Sequence, residues 1–206
     1  FGPGDGMENN TLILKSLGWK GFWVGGETLR IETNSKNDFL FMKEFVTLKN
    51  IIHLATKGKK HIGDKDLDLI SFDLDGNDIY MVEELLKNNF KPKIFIVEYN
   101  GKFPPPVKWQ ITYNENHIWE GDDYFGASLT TFYEMFKSYD YKLVCCNTHT
   151  GSNAFFIRKD FESLFKDVPE NLNDLYVSPR YFLHNVFGSH SFSHPQSLKT
   201  VNKLFE

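Results

Sequence analysis

The sequence predicts an α/β fold with a mostly parallel sheet that closes on an antiparallel strand. Three observations carry this expectation. Apolar runs at 21–24, 67–72 and 93–97 end in glycines or carboxylates, and stretches of helical period lie between them. A glycine-rich loop, Phe1-Gly2-Pro3-Gly4-Asp5-Gly6, leads into the first helical stretch. The last two apolar runs, 142–147 and 154–159, are parted only by 148–153, a gap too short for a helical crossover, so they should pair antiparallel.

In chain order, Leu12 to Leu17 has helical spacing and stops at Gly18, and Gly21 to Glu27 reads as a short strand ending in glycines and an acid. Residues 28–43 are mixed, with a turn over Asn34 to Asp38. Phe45, Leu48, Ile51 and Ile52 recur at a helical period over 45–54, and the polar, glycine-containing 56–66 reads as a loop. Leu67 to Phe72 is a strand, Ile79 to Leu86 a helix, and Lys93 to Asn100 the clearest buried strand. The irregular 101–124, with Pro104 to Pro106, Trp109, Tyr113, His117 and Trp119, is long enough to be an ordered lid. Gly126 to Lys137 follows as a helix. The chain divides into a domain over 1–160 and an extension of unassigned role over 161–206.

With 206 residues the chain fits one core-bearing domain, and a net charge of −4 gives no broad electrostatic grip on nucleic acid or anionic lipid. No run approaches the ~20 apolar residues of a membrane span, so a cytoplasmic protein without a membrane span is expected. Cys145 and Cys146, adjacent on a strand, point to opposite faces and read as reduced, packed thiols. His190 and His194 lie four positions apart in a non-helical, proline-terminated context unsuited to a metal site.

The chemistry concentrates in Phe72-Asp73-Leu74-Asp75-Gly76-Asn77-Asp78, a strand end passing through a glycine turn into a helix. Open α/β sheets present ligands at this edge. Glu98 and Asn100 end the next strand and should flank the same crevice. Closely spaced glycines before a helix let backbone approach a ligand. Gly2, Gly4 and Gly6, with Asp5, Glu8 and Asn10, form the candidate cofactor loop. The acids would repel a pyrophosphate but accept from an amino group or a ribose hydroxyl, which favours S-adenosylmethionine over a dinucleotide. Glu27, about 20 residues past the loop, stands at the spacing of a ribose-binding acid.

Alternating strands and helices with a final antiparallel hairpin form the pattern of a Rossmann-like class I methyltransferase sheet, here with no first strand visible ahead of the glycine loop. Gly4-Asp5-Gly6 with Glu8 to Thr11, Gly18-Trp19-Lys20-Gly21, Ser71 to Asp78, Glu98-Tyr99-Asn100, Tyr124 to Leu129 and Asn153 to Phe156 together resemble the bacterial FkbM-like methyltransferases over roughly residues 1–160. The resemblance implies methyl transfer from S-adenosylmethionine to a hydroxyl of a sugar, small molecule or surface glycan. It puts Gly4 and Gly6 in the glycine loop, Glu27 at the ribose, and Asp73 and Asp75 beside the methyl donor. Asp75, Glu98 and Asn100 are similar to the carboxylate set around magnesium in macrocin-type sugar O-methyltransferases, which implies Mg²⁺ or Mn²⁺. Without a cation a side-chain base is needed, and His149 is the candidate.

Two other readings compete. Asp73 and Asp75 after an apolar strand resemble the nucleophile and general acid of a haloacid-dehalogenase-like phosphatase, although Asn77 stands where that motif prefers Thr. The third reading is a non-catalytic binding protein on a methyltransferase fold.

Overall fold

The computed structural model describes residues 1–7, 9–31, 39–180, 199–200 and 203. Glu8, the turn expected over 34–38 and the segment holding His190 and His194 lie outside the described residues.

Among the described residues the chain is mixed α/β, with six strands in two sheets. The smaller sheet pairs β1 (Gly21–Gly25) with β2 (Phe39–Lys43) in parallel, from Gly21↔Phe39 to Gly25↔Lys43. The larger sheet runs β3-β4-β6-β5, with β3 (Leu69–Phe72) parallel to β4 (Ile94–Glu98). β6 (Asn153–Arg158) lies antiparallel to both β4 and β5 (Tyr141–Cys146), so the closing hairpin is antiparallel as its short connection requires. A register shift between Leu143 and Cys145 leaves Cys145 exposed and Cys146 buried, both as free thiols.

Phe1 and Gly2 join the two sheets. The Phe1 nitrogen donates to Ser71 O at 2.7 Å and the Asp73 N–H donates to Phe1 O at 3.2 Å, which is the bonding of one parallel rung opposite Phe72. On the other side the Gly2 N–H donates to Val24 O at 2.9 Å. The Phe1 ring stacks on Phe72 with centroids 4.6 Å apart. This dipeptide is therefore a single rung of strand between β1 and β3.

The core runs across both sheets, with Val24, Met42, Ile51 and Leu54 in one buried cluster with Phe72, Phe95 and Phe136. α3 (Asp78–Lys87) buries Ile79, Met81, Val82, Leu85 and Leu86, and α4 (Leu129–Ser138) buries Phe132 and Phe136, with the Phe136 ring 4.1 Å from that of Phe156. The Ser128 side chain caps α4 by accepting from the Thr131 N–H. The short α1 (Leu12–Ser16) follows the glycine loop.

Two expectations are corrected. The stretch 28–43, read as mixed, contains β2. The helix expected over 45–54 lies instead at α2 (Ile51–His61), covering much of the expected 56–66 loop. The Asn50 side chain accepts from the Thr47 N–H and donates to Phe45 O, folding 45–50 into a turn ahead of the helix. α2 then buries Ile51, Leu54, Ala55 and Gly58, spaced for one face. Gly58 is required there, because a Cβ would lie 2.4 Å from the Phe22 ring. Lys59, Lys60 and His61 suit the negative end of the helix dipole.

The 101–124 stretch is an ordered cover without regular structure beyond the single bridge Gln110↔Ala127. Phe103 stacks on Trp109 at 4.0 Å, and the Trp109 N–H donates to Ser128 Oγ and Thr131 Oγ1. Past residue 160 the chain keeps packing on the same body. The Tyr99 hydroxyl donates to Val177 O and the Tyr176 hydroxyl to Gly101 O, both at 2.6 Å. Among the described residues no helix is long and apolar enough to cross a membrane.

Candidate functional site

β3 and β4 run parallel, so their carboxyl ends deliver Asp73 and Glu98 to one edge, one step past the Phe72↔Val97 pair. With Asp75 they form a group of three carboxylates that each offer an oxygen within 4.8 Å of the others. Burial, then the Asp75 and Asp78 charges, push Asp73 up to about 8. Burial, followed by Asp73, Asp75 and Asp78, raises Glu98 well above the usual carboxyl range. Asp75 stands at the solvent edge of the group, yet partial removal from water and the charges of Asp78 and Glu27 raise it to about 6.

The turn that presents Asp75 is clasped from below. The buried Asp78 carboxylate accepts from the Leu74 N–H at 2.8 Å and the Gly76 N–H at 3.1 Å. Between them Asp75 adopts φ +53°, a left-handed conformation that a non-glycine residue holds only when its surroundings enforce it. A plain capping role for Asp75 and Asn77 is not what the residues do. α3 has no side-chain cap bond at Asn77. The Asn77 amide instead donates to Asn114 O and accepts from the Asn114 N–H, tying the cover to the motif.

The glycine loop enters the same edge. Gly2 has φ +74°, and a Cβ there would lie 1.6 Å from the Asp73 carbonyl oxygen, so only glycine permits this approach. Gly4 and Gly6 also have positive φ, at 51° and 92°. The Asn10 amide reaches Ser71 Oγ, Asp73 Oδ2 and Asn153 Oδ1 at 3.3–3.4 Å, bringing the loop, β3 and β6 together. Asp5 is engaged elsewhere in part: its carboxylate accepts from the Met7 N–H and pairs with Arg30 at 3.0 Å. Glu27 is exposed at the end of β1, and its charge is felt at Asp75.

Asn100 does not join the carboxylates. It is fully buried, its Nδ2 donates to Asp123 O and Phe125 O, and its Oδ1 accepts from the Lys102 N–H, so it anchors the cover. His149 is exposed in the β5–β6 turn, where its N–H donates to Asn147 Oδ1. Two site residues were not singled out from sequence. Asn153 bonds Asn10. The His117 ring packs on Gly76, with its Nε2 buried and without a hydrogen-bond partner among the described residues. The only sequence signal for His117 was its place in the aromatic lid.

Comparisons with protein-family models, curated proteins and solved structures return no match.

Proposed function

We propose that the chain is an S-adenosylmethionine-dependent O-methyltransferase acting on a hydroxyl of a sugar or other small molecule or glycan, with a fold of the Rossmann-like class I type. The observation that carries the reading is the position of the carboxylates in the strand order. If Phe1-Gly2 is counted as the end of a strand, the parallel strands run β2, β1, Phe1-Gly2, β3, β4, so the chain progresses outward in both directions from the junction of Phe1-Gly2 and β3. Nucleotide-bearing ligands bind at the carboxyl edge of such a junction. The glycine loop and Asp73 meet there.

In this reading Gly2, Gly4 and Gly6 let the cofactor lie against backbone, Asn10 and Asp73 meet its polar groups, and Glu27 accepts from its ribose. The anionic character of Asp73, Asp75 and Glu98 suits a cationic sulfonium better than a pyrophosphate. Three clustered carboxylate oxygens also fit a hard divalent cation. Bound Mg²⁺ or Mn²⁺ would lower the pKa of an acceptor hydroxyl. Asp75, at the solvent edge of the group, orients the acceptor, and the cover over 101–124 excludes water. If the chemistry runs without a cation, the base is a histidine, with His149 in the turn and His117 beside Gly76 as the two candidates.

The test is isothermal titration with S-adenosylhomocysteine, with and without Mg²⁺. Binding near micromolar is expected, about 8 kcal/mol. No binding, together with hydrolysis of a generic phosphate ester, replaces this reading with the phosphatase one. No binding and no hydrolysis leaves the non-catalytic binding protein.

A further inference from the structure

We propose that the solvent face of α2 is a docking surface for the body of the acceptor, a glycan chain carrying carboxylate groups. The inference rests on the methyltransferase reading, and it adds the charge class of the acceptor and the path it takes over the protein.

α2 divides into two faces. Ile51, Leu54, Ala55 and Gly58 are buried against the body, and the exposed positions are His53, Lys57, Lys60 and His61. At about 3.6 residues per turn these four fall within roughly a third of the helix circumference, opposite the buried set. The helix holds no acidic residue. Lys49 and Lys59 are matched by Glu115 and Asp66, at 2.7 and 3.2 Å. Among the described residues Lys57 and Lys60 form no ion pair. In a chain of net charge −4, one helix face is therefore an uncompensated basic stripe.

The stripe starts beside the carboxylate edge. β2 ends there at Lys43, and α2 leads away toward the start of β3 at Leu69. The Tyr113 hydroxyl accepts from the Leu48 N–H at 3.4 Å and Glu115 pairs with Lys49, so the cover meets the head of α2. The same part of the cover is joined through Asn114 to Asn77, two positions past Asp75. A chain whose end lies at Asp75 thus leaves over residues 113–115 onto α2. The 11 residues of the helix then offer it a track of about 16 Å.

The chemistry of the stripe selects among anions. No aromatic ring stands among its exposed residues, so it lacks the stacking platform of a single-stranded nucleic acid site. No large apolar side chain is exposed there either, so it has nothing to bury in a bilayer surface. Arg is absent, and with it the planar fork that grips one phosphate through two oxygens. Lys57 and Lys60, one turn apart, are compact point charges on flexible stems, suited to carboxylates repeated along a polymer. His53 and His61 flank them with ring N–H donors for hydroxyls.

The experiment titrates the full chain with an alginate oligomer, a polyuronate, and with neutral dextran. Alginate should bind and dextran should not, with alginate affinity falling about fivefold between roughly 50 and 200 mM salt. Lys57→Glu combined with Lys60→Glu should weaken alginate binding by about tenfold or more. Lys159→Glu combined with Lys166→Glu makes the same charge change at exposed positions off the stripe, and should leave binding within about twofold. No alginate binding, or equal loss in the two double variants, overturns the proposal. So does binding of oligo-dT, polyglutamate or phosphatidylglycerol vesicles that matches alginate and is lost with Lys57 and Lys60. Titration of the same sample with S-adenosylhomocysteine keeps the two proposals apart. Cofactor binding without alginate binding overturns the docking surface alone. Alginate binding without cofactor binding overturns the methyltransferase reading, and with it the role of the chain as acceptor.

Discussion

Asp73 and Glu98 stand side by side at the ends of adjacent parallel strands, each with a carboxyl oxygen within 4.8 Å of the other and of one on Asp75. Groups that are both ionised when free in neutral water repel at this range, which favours keeping a proton on one of them. Burial supplies the main reason the proton is held, and Asp75 and Asp78 add to it. The cluster is thus arranged so that a cation, or a positively charged ligand, can replace a proton.

The stability of the ligand-free protein should fall as pH rises. Asp73 moves from 3.8 to about 8 on folding, so the folded state binds more protons over that window. Its contribution is complete below about 3.8 and lost as pH climbs through about 8. Asp75 acts with the same sign up to about 6. Asp78 and Glu98 are also raised, so they act in the same sense. Thermal melts from pH 5 to pH 8 should show a declining midpoint. A midpoint that climbs over this range contradicts the cluster as described.

Divalent cations should reverse that decline. A ligand at 100 times its dissociation constant adds about 2.7 kcal/mol to stability, which for a domain of this size is a rise of about 5 °C or more. Millimolar Mn²⁺ at pH 8 should give a shift of that order, and at pH 5, where protons compete, far less. Glu98→Gln should abolish the shift. An equal shift in that variant would place the cation elsewhere.

Glu27 and Asp75 should separate by function. Glu27→Ala removes an exposed acid from the end of β1, so S-adenosylhomocysteine affinity should fall about tenfold, or about 1.4 kcal/mol, with the fold intact. Asp75→Ala should leave that affinity nearly unchanged and remove most turnover. Equal loss of affinity in both would contradict an acceptor-side role for Asp75.

Much of this arrangement was legible in the sequence, because local signals and tertiary demands coincide there. The apolar runs ending at Phe72 and Val97 are buried on both faces, and a parallel pair must put the residues that follow on one edge. The short 148–153 connection admitted nothing but a hairpin. The errors fall where local pattern and environment part. α2 contains Gly58 and a basic end, which read as loop until the Phe22 ring is placed over the glycine. Asn100 sits at a strand end like a ligand, but its amide is used up by Asp123, Phe125 and Lys102. His117 lies 41 positions from Gly76, and no spacing rule links a loop histidine to a turn so distant in the chain.

Asp78 offers the sharpest separation of geometry from charge. Its carboxylate holds the Leu74 and Gly76 N–H groups and so fixes the strained turn at Asp75, while its charge raises the pKa of Asp73, Asp75 and Glu98. Removing the side chain therefore has two opposed effects. Leaving two backbone donors unsatisfied costs about 1–3 kcal/mol each when they are buried, whereas relief of like-charge repulsion favours the folded state at high pH. The geometric loss is the larger, so Asp78→Ala should destabilise the protein by about 2–4 kcal/mol in chemical denaturation. Asp78→Asn keeps one carbonyl acceptor and loses the charge. It should cost about half as much and flatten the decline in stability between pH 5 and 8. If Asn and Ala cost the same and both flatten the profile, the charge rather than the clasp is what Asp78 supplies to the site.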